Sequence, residues 1–194
     1  MIISDRLSQR ISRVLIDNEV INEDESPFYK YVLEYILDLL ILNSSLIILS
    51  IILKELILGL IYITVMTTVR MFAGGMHANR RFTCSIVSYL MFLICTLPAH
   101  LEMITISPSY SLPILIILSI TVLYLAPAGN KFQSLPVSQI KGYKLRCFFS
   151  MILVSIIYIT CVICNYKGGY VVILLCLITI ACNQIMAKMI KRTK

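Results

Sequence analysis

The stretch RMFAGGMHANRRFTC, Arg70 to Cys84, gathers a thiol, an imidazole, a Gly-Gly pair and three guanidinium groups in a chain that is otherwise largely aliphatic. Cysteine beside histidine is the pairing of nucleophilic catalysis, in which the imidazole takes the thiol proton and the thiolate attacks an acyl carbon. His77 and Cys84 are seven residues apart. On an unbroken helix that spacing leaves them on one face but about 10.5 Å apart along the axis, too far for direct contact. A break must fold them together, and Gly74 and Gly75 supply one, since glycine tolerates positive φ and ends helices cheaply. Cys84 also opens an apolar run. There the positive end of a helix macrodipole and the nearby Arg80 and Arg81 favour thiolate. The other six cysteines, at 95, 147, 161, 164, 176 and 182, have no such surroundings. Cys161 and Cys164 fall within one apolar run and read as packing residues. A metal centre is not expected, because one histidine and one cysteine converge where three or four ligands are needed. No cofactor motif is present.

The elements that position this stretch are membrane elements. Of the 194 residues 59% are hydrophobic and 14% charged, and the mean hydropathy of +0.90 lies far from soluble averages. Apolar runs extend over Ile36–Leu53, Leu56–Val69, Cys84–Leu97, Leu112–Ala126, Cys147–Cys164 and Tyr170–Met186. The composition predicts an all-α polytopic membrane protein of about six transmembrane helices. Leu56–Val69 and Cys84–Leu97 are short of the roughly 20 residues that cross a bilayer and are either re-entrant or flank-extended; Leu56–Val69 lengthens through Ala73 if Arg70 snorkels to the headgroups. The charged residues 1–25 hold no cleavable signal sequence, so insertion relies on the spans themselves. When the loops are assigned to alternate sides, 15 of the 17 basic residues fall on one side, with only Lys54 and Lys167 opposite. By the positive-inside rule both termini and the Arg70–Cys84 stretch face the cytoplasm. The lipid bilayer is the expected environment, and no nucleic-acid partner is expected.

Residues 1–25 form a separate unit preceding a membrane domain of residues 26–194. Leu7, Ile11, Val14 and Leu15 recur at helical spacing beside Arg6, Arg10 and Arg13, which predicts a basic amphipathic helix on the inner membrane surface. An acidic linker follows, with Asp17, Glu19, Glu23, Asp24 and Glu25. At the start of the first span, Glu34 and Asp38 share a helix face, with Asn43 one or two turns further on. Acids at this depth face a partner or a cavity. They are either interfacial groups satisfied by water and arginines or part of the lining of the cavity that holds His77.

The pattern Arg, three residues, Gly-Gly, one residue, His, six residues, Cys resembles the signature of the accessory-gene-regulator B family, membrane-embedded cysteine endopeptidases of Gram-positive quorum sensing. The likeness extends to chain length, the six apolar runs, the basic amphipathic N-terminus and LAPAGNKF after the fourth run. The next proline, Pro136, comes later than in the family pattern. The resemblance implies a protein of the cell membrane whose partner is a small precursor peptide with an amphipathic leader and an acidic C-terminal tail. It implies Cys84 as nucleophile and His77 as general base and later acid, with Arg70, Gly74 and Gly75 supporting them. A Cys84 thioester would release the tail, and an internal thiol of the substrate would take the acyl group to give a cyclic thiolactone. The signature lacks a third, orienting group, for which Glu34, Asp38 and Asn43 are the candidates. The basic groups Arg80, Arg81, Lys131, Lys141, Lys144 and Arg146 are expected to hold the acidic tail. The resemblance also suggests a homodimer.

The alternative reading from a different class is a small cation-coupled transporter in which Glu34 and Asp38 bind the ion and the Gly-Gly break lines its path. Such a protein would tolerate loss of Cys84 and depend on the two acids.

Overall fold

The computed structural model describes residues 2–18, 20–75, 81–128 and 137–192. These residues form α1 (Ile2–Asp17), α2 (Ser26–Ile52), α3 (Leu56–Ala73), α4 (Arg81–His100), α5 (Pro108–Leu125), α6 (Val137–Ile163) and α7 (Lys167–Arg192), with a single 3-10 turn, Glu23–Glu25, ahead of α2. No strand occurs among the described residues. Helices α2 to α7 are each long and apolar enough to cross a membrane, so the chain is a multi-pass, all-helical membrane protein. In hydrocarbon every backbone N–H and C=O must be satisfied within the segment, and continuous aliphatic sequence meets that demand as helix. Prolines near the starts of α2 and α5 sit in first turns, where a missing N–H costs nothing.

The short second run does extend as its sequence allows. α3 continues from Leu56 to Ala73, 18 residues, or about 27 Å of rise against a hydrocarbon layer of ~30 Å. α2 starts well before Ile36, and α6 before Cys147. The added turns carry charged residues such as Lys30 and Lys144, which are helical but leave the apolar pattern.

α7 is the central helix. Of its spanning segment 61% is buried, against 11% of that of α2. Val172, Ile173, Cys176 and Leu177 of α7 pack with Val65 and Val69 of α3, Cys95 of α4, Val122 of α5 and Val154 of α6, all fully buried. Polar links join the outer helices. The Ser111 and Tyr158 hydroxyls lie 2.5 Å apart between α5 and α6, and Ser45 of α2 bonds the hydroxyl of Tyr89 on α4. Lipid tails are as apolar as leucine, so such packing and hydrogen bonds are what hold spans together.

The amphipathic N-terminal helix docks on α2 through its polar stripe. Ser8 and Ser12 are buried. Lys30 lies 3.1 Å from Asp5 and 3.7 Å from Glu34, and the Ser12 and Ser26 hydroxyls are 3.3 Å apart. Leu7 and Val14 are exposed on α1 while Ile11 and Leu15 are half-buried, so part of its apolar face is left for a lipid interface.

The ends of α3, α5 and α7 meet at one end of the bundle. At the other end the α2–α3, α4–α5 and α6–α7 connections surround a hollow of about 330 Å³ lined by Glu55, His100, Glu102, Tyr166 and Lys167. His100 Nδ1 is 2.8 Å from Glu55 Oε1 there. Burial, then the Glu55 charge, pushes the Tyr166 hydroxyl up to about 12. The seven cysteines are free. Cys164 corrects the expectation that it shares a helix with Cys161: it lies just beyond the end of α6 and is exposed.

Candidate functional site

The Gly-Gly pair ends α3, as its chemistry predicts. Gly74 caps the helix with φ +73°, its N–H donating to the Arg70 carbonyl at 3.2 Å, and Gly75 follows at φ +141°. Both angles lie where a side chain is strained. The chain there is fastened to the segment after α5. Gly75 N–H donates to Ala128 O at 3.0 Å and Ala128 N–H donates to Ala73 O at 2.9 Å, an isolated parallel bridge between Gly74 and Ala128. The approach is close: a Cβ on Gly74 would lie 2.4 Å from Ala128 O, and one on Gly75 would lie 2.8 Å from Asn183 Oδ1 of α7. Glycine is therefore required here by contact as well as by backbone angle. Pro127 within APA follows a cis bond.

α7 adds a second fastening. The Gln184 amide, fully buried, donates through Nε2 to Ala73 O at 3.0 Å and to Val122 O at 3.3 Å. It thus joins the ends of α3 and α5. Among the described residues its Oε1 has no hydrogen-bond partner. The amide orientation is fixed by its neighbours, because exchanging the two atoms would set Oε1 against two carbonyl oxygens. Such an orphan acceptor costs about 1–3 kcal/mol. Sequence reasoning missed Gln184, Asn183 and Ala128. A Gln-Asn pair inside the last apolar run was the available signal, since polar side chains within a span are rarely idle.

A narrow cleft of about 10 Å³ lies beside this junction, lined by Met66, Arg70 and Gly74 of the α3 end, Val87 and Met91 of α4, and Thr179, Ile180 and Asn183 of α7. It has room for about one water molecule. Cys84 lies in the first turn of α4 and is half-buried. Residues 84, 87 and 91 follow i, i+3, i+7 spacing, so Cys84 shares the α4 face that lines the cleft, one turn nearer the helix start. The structure therefore brings Arg70, Gly74 and the α4 face that begins one turn past Cys84 to one place; Cys84 itself does not line the cleft. His77 lies outside the described residues, as do Arg80 and Lys131.

The remaining basic residues divide. Lys141, Lys144 and Arg146 are exposed on the first turns of α6. Arg146 stands 6.0 Å over the ring of Phe72, which also meets Tyr143 edge-on at 6.4 Å. This ties the basic start of α6 to the end of α3, two residues before Gly74. The Ser150 hydroxyl, 2.9 Å from Arg146 O on its own helix, also lies 3.2 Å from Thr68 O of α3 and shares its one proton between them. Arg81 begins α4. Lys188 of α7, unremarked in the sequence, stands 5.7 Å over the ring of Tyr124 at the same end of the bundle.

The membrane acids are placed differently. Glu34 is buried with its carboxylate toward α1, accepting from Ser8 Oγ at 3.5 Å and lying 3.7 Å from Lys30. Asp38 and Asn43 are half-buried on α2. None of the three lines the cleft.

Neither a curated protein nor a solved structure matches the chain. The family model described as accessory gene regulator B matches residues 8–187, nearly the whole chain. With the six spans and the Gly-Gly junction in view, the chain belongs to the accessory gene regulator B family, whose role is the processing of a quorum-sensing pro-peptide at the membrane.

Proposed function

We propose that the protein is a cysteine endopeptidase and acyl transferase of the cell membrane, acting from the cytoplasmic face on a small pro-peptide with an amphipathic leader and an acidic C-terminal tail. The observation that carries this reading is the junction at the start of α4. Cys84 stands on the cleft-lining face, and the chain that leads to His77 leaves α3 through two glycines fastened to Ala128.

In the proposed reaction His77 takes the thiol proton and the Cys84 thiolate attacks the carbonyl carbon of the peptide bond before the tail. The C–N bond breaks, the leaving amine takes the proton from the His77 imidazolium, and the acyl group remains on Cys84 as a thioester. A thiol within the substrate, deprotonated by His77, then attacks the thioester carbon. Cys84 leaves as thiolate, and the product is a cyclic thiolactone. Exchange between thioesters is close to thermoneutral, so ring closure needs no further energy source provided water is kept away. The apolar lining by Met66, Val87, Met91 and Ile180 is suited to that exclusion. Lys141, Lys144 and Arg146, with Arg80, Arg81 and Lys131, attract the acidic tail.

The test is co-expression with a precursor peptide and mass spectrometry of the products. Wild type should yield a tail and a cyclic peptide one water lighter than the linear acid. Cys84→Ala and His77→Ala should yield intact precursor while the protein remains inserted. Cleavage by Cys84→Ala would overturn the assignment.

A further inference from the structure

The fold does not require Gln184. Both carbonyls that it contacts already have another donor: Ala73 O accepts from Ala128 N–H and Val122 O from Ala126 N–H, the latter at 3.0 Å. A leucine of similar volume would leave neither carbonyl bare and would remove the orphan Oε1. What leucine would lose is direction. The Gln184 amide is the link by which the central helix α7 holds the last carbonyl of α3, immediately before the two glycines. A buried amide that costs stability and offers only geometry has its use in the geometry.

Resting on the reaction proposed above, we infer that Gln184 is a positioning residue: it locks the ends of α3 and α5 to α7 and so fixes the Arg70–Gly74 wall of the cleft beside α4. It touches no reacting atom. It acts on the Gly75–Ala128 hydrogen bond indirectly, by tying Ala73 and Val122, in the helices from which Gly75 and Ala128 continue, to one helix. Asn183, beside it, closes the other side of the junction with its Oδ1 against Gly75.

The experiment uses the full chain in lipid with Gln184→Leu and Gln184→Glu. Three readouts are taken: amide hydrogen exchange at Gly75 and Ala128, thermal unfolding, and kcat and KM for precursor cleavage. Gln184→Leu should speed exchange at those two amides while leaving the centres of α4 and α5 unchanged. It should lower kcat roughly 10- to 100-fold, the scale of a small misplacement of reacting groups, with KM and the unfolding midpoint near wild type. Relative to wild type at the same pH, Gln184→Glu should gain activity as pH falls, because only the protonated carboxyl can donate to Ala73 O. If Gln184→Leu does not insert, the pH response of Gln184→Glu carries the test. Unchanged exchange at Gly75 would overturn the tie, whatever the role of Cys84. Faster exchange with wild-type kcat would overturn the positioning role, as would a loss of activity matched by a fall in unfolding midpoint. Cleavage by Cys84→Ala would instead overturn the reaction, and the exchange data would still report on the tie.

Discussion

At the scale of single residues, the site depends on atoms that must approach closely. Gly74 combines φ +73° with a space that ends 2.4 Å from where a Cβ would lie, so Gly74→Ala must either strain the backbone or push Ala128 away. Left-handed strain in a non-glycine residue costs of order 1–3 kcal/mol, and the displaced Ala128 hydrogen bonds add to it. Gly74→Ala is therefore expected to lower the unfolding midpoint and to abolish tail cleavage. Gly142→Ala, with no atom within 4 Å of the added carbon, should do neither. Thermal unfolding with a cleavage assay checks both, and an active Gly74→Ala would remove the junction from the account.

At the scale of elements, the start of α6 is set against the end of α3 by Phe72, Tyr143 and Arg146. Exposed charges screened over about 8 Å are worth about 1 kcal/mol or less each. Neutralising Lys141, Lys144 or Arg146 singly should change KM little. Replacing all three by Gln should raise KM for an acidic-tailed precursor and leave a neutral-tailed one unaffected. An unchanged KM for the acidic precursor would leave tail binding without support. The docking of α1 makes a separate prediction. Lys30 bonds to the Asp5 carboxylate and holds it below the usual carboxylate range. A depressed carboxyl favours the docked state above its unfolded value, and that contribution is lost only as pH falls through the depressed one. The pair is exposed and contributes little beside the buried Ser8 and Ser12, so an environment-sensitive label at Val14 should show α1 docked at about pH 5 and only modestly loosened in stronger acid, and Lys30→Met should loosen it slightly at both and remove most of the difference between them. Helices and spans were legible in the sequence because aliphatic runs in lipid have one outcome. The helix extensions over Ser26–Tyr35 and Val137–Arg146 were not, because interfacial turns carry polar residues without periodic burial. Cys84 and Gly74–Gly75 announced themselves through unusual residue types. Gln184 and Ala128 did not, because their function lies in contacts between α3, α5 and α7 that are remote in sequence.

At the scale of the whole molecule, the ends of α3, α5 and α7 share one side with the docked α1, and Glu55, His100 and Tyr166 mark the other. By the positive-inside rule we propose that the first side faces the cytoplasm. In a cysteine-free background, an impermeant thiol reagent applied from outside should label a cysteine placed at Ser109 and miss one at Gly142. The reverse would invert the topology and put the site outside. In the proposed reaction Cys84 carries the acyl group between two nucleophiles. This is tested most directly by the intact mass of the protein after reaction with a precursor whose internal thiol residue is changed to alanine. The expected outcome is cleavage of the tail followed by arrest, with a hydroxylamine-sensitive adduct on Cys84 one water lighter than the sum of protein and linear fragment. Rapid release of free linear acid with no adduct would contradict it.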